Sequence, residues 1–389
     1  MNQLAPYASR HQQSRGRRYP LLPDPHRNEF QRDRDRIVHS TAFRRLVYKT
    51  QVFLNHEGDL FRTRMTHSLE VAQLGRSIGR ALGLDEDLIE AITLAHDLGH
   101  TPFGHAGQDA LHECMSRADA QGGGFEHNFQ SLRVVDRLEE RYAAYDGLNL
   151  SFETREGILK HCSRRNAEWL AVNDPTGLGR RFIDRTQPSL EAQLCNLADE
   201  IAYNAHDIDD GVRSGLLVLE QLEELTLIRQ HLAAVRDAHP ALTGRRVLFE
   251  TLRRVLSQQV YDVTDTTRAA LAEHGASSPE QVRAAPPLVR FSAPMRRRTD
   301  EVQRFLRVNL YRHPQVVATT SLAREVLREL FDLYLADPGQ MHTQLSTGRR
   351  VPRVVADYVA GMTDRFALQE HARLTGRRIE WPLRPRAAD

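Results

Sequence analysis

The sequence predicts an all-α protein. Three observations carry that prediction: apolar residues recur at helical spacing along most of the chain, glycine and proline punctuate the periodic stretches, and alternating strand patterns are scarce. Periodicity begins near Ile37. Over 68–82, Val71, Leu74, Ile78 and Ala81 fall on one helical face, and Gly83 ends the helix. Asp85, Glu86 and Asp87 then open a second helix, where acids suit the N-terminal dipole. It is expected to run through Ile89 and Ile92 to about Leu98, with Gly99 and Pro102 as the stop.

Residues 121–124 form a glycine-rich break, and 125–142 read as helix again. A loop is expected over 173–187, a long helix over 189–209, and further helices over 216–239 and 245–263. After a loop-rich stretch at 270–287, helical patterns return over 299–311, 321–335 and 351–374. Only 289–291 suggests a short strand. The expected organisation is a flexible basic arm (1–35), a helical core (36–215), a C-terminal helical region packed on it (216–375) and a basic tail (376–389).

The chain has 389 residues, 40% of them hydrophobic, so it can bury a sizeable core. No run approaches the ~18 apolar residues of a membrane span. The N-terminus carries no apolar stretch of the secretory kind, and a cytoplasmic protein is expected. Cys114, Cys162 and Cys195 are far apart, which argues against a disulfide framework or a thiolate zinc site. A net charge of +2 gives no global nucleic-acid signature. Lys49 and Lys160 are the only lysines among 53 bases, a skew that reads as genome composition and weakens arguments from local arginine clusters.

Four positions carry the chemistry: His67, the pair His96-Asp97, and Asp199. His67 is in register with Val71, Leu74 and Ile78, and His96 with Ile89 and Ile92, so both imidazoles are expected to face inward. Asp97 should lie about 100° further round the same helix. A buried aspartate is costly unless paired or metal-bound. Neutral imidazole and carboxylate together suit a divalent ion such as Mn²⁺, Fe²⁺, Co²⁺ or Zn²⁺. One inward histidine is usually a hydrogen-bonded core residue, and an HD dipeptide alone is weak. The run 96–105, HDLGHTPFGH, is denser in histidine than packing explains. Asp199, Tyr203 and Asp207, at i, i+4 and i+8, should share one helix face.

These residues bring a family into view. The pattern H…HD…D resembles the HD-domain superfamily, and HDLGHTPFGHAG resembles its dGTPase branch, the deoxynucleoside triphosphate triphosphohydrolases. RMTHSLEV (64–71), ADEIAY (198–203) and YVAGMTDR (358–365) agree with that branch, in order, within a likeness running from about 28 to about 372. The resemblance implies an HD-type helical fold with an added C-terminal helical region, and hydrolysis of dGTP or other dNTPs to deoxynucleoside and triphosphate. It implies one divalent ion (Mn, Mg, Fe or Co, with Zn as an alternative) on His67, His96, Asp97 and Asp199. By the same resemblance His105 takes the catalytic histidine position, and His100 and His127 contact phosphate or transfer protons. Arg64 binds phosphate, and Tyr203 and Asp207 hold the sugar. A homo-oligomer and a second, activating dNTP are further expectations of the family.

One departure stands out. The family often has an acid three residues after the catalytic histidine; here that position is Gln108, with Asp109 next. Two other readings stay open: another HD nucleotide phosphohydrolase, or a nucleotide or single-stranded nucleic-acid binding protein with weak hydrolysis. Arg296, Arg297 and Arg298, with Arg304 and Arg307 beside Phe305 and Tyr311, give the last only modest support.

Overall fold

A computed structural model of the chain describes residues 4–51, 61–119, 124–342 and 350–381. The described residues are predominantly helical and contain only isolated β-bridges, without a named strand. The helices are α1 (Glu29–Val38), α2 (Thr41–Arg45), α3 (Arg64–Leu82), α4 (Glu86–Ala95), α5 (Gly104–Ala118) and α6 (His127–Arg133). Then come α7 (Phe152–Ile158), α8 (Arg164–Asn173), α9 (Arg180–Asp184), α10 (Leu190–Arg213), α11 (Leu219–Leu222) and α12 (Thr226–Ala238). The rest are α13 (Arg245–His274), α14 (Pro279–Ala284), α15 (Ala293–Leu306), α16 (Pro314–Ala336), α17 (Val351–Ala360) and α18 (Asp364–Thr375).

The centre is a layer of α3, α4 and α10. Thr63 caps α3, and Gly83, left-handed at φ 69°, closes it. Asp85 caps α4 by accepting from Leu88 N at 2.9 Å. These two helices approach closely because Gly79 leaves room for Ile89: a Cβ there would lie 2.2 Å from Ile89 Cδ1. Ile89, fully buried, contributes ~1.5–3 kcal/mol from that packing. One hydrophobic cluster joins α3, α4 and α10 to α13 and α15. A second joins α5 to α16, α17 and α18. A third gathers α1, α2, α4, α6 and α7.

Several elements differ from the sequence expectation. α13 continues eleven residues beyond 263, and 216–239 divides into α11 and α12. The 289–291 stretch pairs with no strand; Leu288 N and Val289 N instead donate to Gln193 Oε1 on α10. The N-terminal segment expected to be loose is packed on the helical body. Ser9 binds Glu191 through its N (2.9 Å) and Oγ (2.8 Å), and buried Arg17 pairs with Glu29 and Asp33. Its polar and basic composition matches acids buried on the body, which a periodicity argument cannot detect. Among the described residues, no helix is long and apolar enough to cross a membrane.

Candidate functional site

The site forms where the start of α3, the end of α4 and the middle of α10 converge. His67, one turn into α3, and His96, the residue after α4, are both buried. Asp97 does not continue the helix, contrary to expectation. α4 stops at Ala95, and 96–99 form a turn in which Leu98 N donates to Ala95 O and His100 N to Asp97 O. The break has a chemical consequence. Successive side chains on a helix diverge by about 100°, whereas here Asp97 Oδ1 comes within 3.1 Å of His96 Nε2.

α6 holds the turn. Gly99 N donates to Ser131 Oγ (2.8 Å), which in turn donates to His96 O (3.0 Å). A Cβ on Gly99 would lie 2.1 Å from Ser131 N, so only glycine fits. The next turn is strained: Phe103, at φ 59°, precedes α5, and its N–H donates to Asp364 Oδ1 at 3.0 Å. Asp364 also accepts from Thr50 N at 2.9 Å. The 358–365 motif thus shapes the loop that leads into His105.

Potential ligand atoms of His67, His96 and Asp97 lie within 4.8 Å of one another. Asp199 Oδ1 joins them, 2.9 Å from His67 Nε2 and 3.5 Å from His96 Nε2. Each carboxylate turns one oxygen inward and gives the other to a cation. Arg64 Nη1 binds Asp97 Oδ2 at 2.8 Å, and Lys160 Nζ binds Asp199 Oδ2 at 2.5 Å. His96 Nδ1 lies 2.6 Å from Thr93 O, which fixes the proton on Nδ1 and leaves a lone pair on Nε2. That Nε2 is buried without a hydrogen-bond partner, as a metal-ligand nitrogen would be. Two imidazoles and two carboxylates fit a divalent ion. Burial opposes ionisation of Asp97, but His96, His100 and Arg64 outweigh it and hold the carboxyl well below its usual range.

A row of imidazoles lies alongside. His100 stacks on His127 with ring centroids 4.1 Å apart, and His105 meets both edge-on, at 5.7 and 6.5 Å. His161 flanks His127 at 6.0 Å. Burial pushes His127 down to about 3 and also holds His100 well below the usual imidazole range. Desolvation, then the nearby Arg64 charge, also lowers His105. Gln108, three residues after His105, turns to His127 instead. Its Oε1 accepts from His127 Nδ1, and from His127 N at 3.4 Å. Asp109, one residue on and rotated away, pairs with Arg324 of α16 at 2.8 Å.

One and two turns along α10 from Asp199, Tyr203 and buried Asp207 face Tyr311, which follows α15. The tyrosine rings are 6.2 Å apart, and Tyr311 OH donates to Asp207 Oδ2, leaving Oδ1 buried and unpartnered. Burial pushes the Asp207 carboxyl up to about 8. The arginine stretch of α15 is partly committed elsewhere: Arg296 pairs with Glu200 and Asp300, and Arg298 donates to Gln230. A cavity of about 560 Å³ touches the 96–99 turn only at Leu98 and Gly99. None of the four candidate ligands lines it, so it is separate from this chemistry.

Sequence reasoning missed Lys160, His206, Ser131 and Tyr311. Lys160 left a signal: both lysines of an arginine-rich chain are at the site, since Lys49 Nζ donates to His100 O and, at 2.8 Å, to Ala360 O.

The chain's similarities agree with this geometry. Residues 64–204 match the HD domain, and residues 289–373 match the phosphohydrolase-associated domain. A deoxyguanosinetriphosphate triphosphohydrolase-like protein of Bordetella pertussis is 58% identical over 378 residues, covering 96% of this chain and 97% of its own. One of Ralstonia pickettii is 59% identical over 374 residues, with 95% and 94% covered. Another, of Nitrosomonas europaea, is 54% identical over 373 residues, with 95% and 97% covered. With the HD turn, its histidine row and the associated C-terminal segment all in place, the chain belongs to the HD-domain phosphohydrolases, among the deoxyguanosinetriphosphate triphosphohydrolase-like proteins.

Proposed function

We propose that the protein hydrolyses deoxynucleoside triphosphates, dGTP among them, to deoxynucleoside and triphosphate. One observation carries the reading: a cluster fit for a divalent ion, with two cations on its carboxylates, shares α10 through Asp199 with Tyr203 and Asp207, one and two turns further on, which face Tyr311. That spacing suits an α-phosphate at one end and a sugar at the other. The relatives' shared name points to the same substrate class.

His67, His96, Asp97 and Asp199 would hold the ion. When bound, it supplies Lewis-acid polarisation of phosphoryl oxygens and makes water more acidic. Arg64 is bound to Asp97 by Nη1, while its buried Nε and Nη2 have no partner, so they can donate to phosphate oxygens. Lys160 adds a second positive charge, and Arg64 and Lys160 together stabilise the charge that builds as water attacks the α-phosphorus. The P–O5′ bond breaks, and His105 delivers a proton to O5′. His105 is held neutral in the free protein, and the incoming triphosphate charge favours its protonated form. His100 and His127 complete the phosphate wall. Asp207, held protonated at neutral pH, can donate to a 3′-hydroxyl, while Tyr203 and Tyr311 would pack on the sugar face and disfavour a 2′-hydroxyl.

The test is a product assay with Mn²⁺ and all four dNTPs, singly and mixed. Release of intact triphosphate is expected, with GTP a far poorer substrate than dGTP. Release of pyrophosphate or monophosphate instead would point to another HD nucleotide phosphohydrolase. The mixed assay also reports activation by a second dNTP.

A further inference from the structure

The two histidines of the cluster are oriented by different devices. His96 uses a backbone carbonyl one turn back. His67 cannot, because its Nδ1 points across to α10, where it meets His206 Nδ1 at 3.1 Å. The rings are nearly perpendicular, at 85°, with centroids 5.3 Å apart. His206 is buried, and its Nε2 binds the carboxylate of Glu70, one turn beyond His67 on α3. Glu70 is itself steadied by Arg62, which also holds Asp209 (2.6 Å) and Asp210 (3.0 Å) on α10.

Proton positions along this chain are linked. A carboxylate can only accept, so His206 Nε2 carries a proton. The neutral ring then presents Nδ1 as an acceptor, and His67 Nδ1 must be the donor. His67 Nε2 is left with its lone pair, 2.9 Å from Asp199 Oδ1 and facing the cluster. We propose that His206, anchored by Glu70, is a positioning residue that fixes the tautomer and ring orientation of His67 for a divalent ion. The inference rests on the metal reading of the site. In it α3 supplies both a ligand and the acid that orients that ligand, and α10 supplies the imidazole that joins them. Outer partners of this kind tune affinity by about 10- to 100-fold.

The test measures Mn²⁺ affinity of the metal-stripped full-length chain by the electron paramagnetic resonance of free Mn²⁺. His206→Phe keeps a ring but removes the acceptor, and should bind about 10- to 100-fold more weakly. His206→Asn places an amide oxygen near the former Nδ1, accepts from His67, and should restore near wild-type affinity. Glu70→Ala, at a half-exposed site, should fall between them and serves if His206→Phe does not fold. The metal-free melting temperature of each variant separates positioning from packing. Wild-type affinity in His206→Phe or, if that variant does not fold, in Glu70→Ala would overturn the inference while leaving the metal reading intact. So would equal weakening in His206→Asn and His206→Phe at unchanged stability. A wild-type chain that takes no Mn²⁺ would remove the metal reading, and this inference with it.

Discussion

The candidate metal cluster and the histidine row beside it both rely on imidazoles, yet those imidazoles are held in different ways. In the cluster each imidazole has a defined partner behind it: Thr93 O for His96, and His206 for His67. Both carboxylates are held by cations at 2.8 and 2.5 Å. In the row, His105 and His127 meet their neighbours chiefly as rings, His100 adds a single polar contact to Asp97 Oδ1 at 3.3 Å, and an amide, Gln108, is the polar support for His127. Directional bonds fix a lone pair in space, which a metal requires. Stacked neutral rings with lowered pKa values leave protonation to be set by what enters, which suits groups that meet phosphate.

The largest expected effect breaks the cluster alone. His96→Ala or Asp97→Ala should abolish tight metal binding and reduce turnover by well over the ~100-fold typical of an outer-shell change. Elemental analysis of purified protein, with Mn²⁺ titration, is the check. Metal content equal to wild type in both variants would remove the assignment. His105→Ala should sharpen the contrast: a loss of about 10²–10⁴ in kcat with metal content unchanged. Loss of metal in His105→Ala would mean the two regions are not separable.

An intermediate effect belongs to the end proposed to hold the sugar. Tyr311→Phe leaves the buried Asp207 Oδ2 without its donor, a cost of about 1–3 kcal/mol, or roughly 10- to 100-fold. It should appear mainly as a higher KM for dGTP and a smaller preference over GTP. Unchanged kinetics with both nucleotides would place the sugar elsewhere.

That His67 and His96 point inward and meet was legible in the sequence, because inward side chains sit in apolar register. His67 and His96 announced themselves through Val71, Ile78, Ile89 and Ile92, which are fully buried. What lies behind the ligands was not legible. His206 meets His67 across 139 residues, and Tyr311 meets Asp207 across 104, so no local pattern links them. α5 opens at a glycine behind a left-handed Phe103, a start held by a distant Asp364 rather than by a local cap. Without a capping side chain, nothing in the local sequence marks where this helix begins. The described part of the N-terminal segment misled for a related reason: it is tied down by distant contacts such as Ser9 with Glu191 and Arg18 with Asp136, and charged composition alone suggests solvent.

The smallest expected effect concerns Gln108, and its physical basis changes once the contact is known. Because Gln108 bonds His127, Gln108→Glu would set a carboxylate against His127 Nδ1 rather than supply His105 with a partner. Burial keeps His127 at about 3, and an adjacent negative charge favours its protonated form, so its pKa should rise. If His127 works neutral in the phosphate wall, the acid limb of the kcat profile should move to higher pH. Near pH 7 turnover should change by no more than about 10-fold, equivalent to ~1.4 kcal/mol of barrier. Asp109→Asn should be nearly silent, since Asp109 is engaged with Arg324 at an exposed site. A pH profile of kcat for the three proteins at saturating Mn²⁺ decides the matter. An unmoved acid limb would mean His127 does not feel residue 108, while a crippled Asp109→Asn would return the catalytic acid to the neighbour that the geometry turns away.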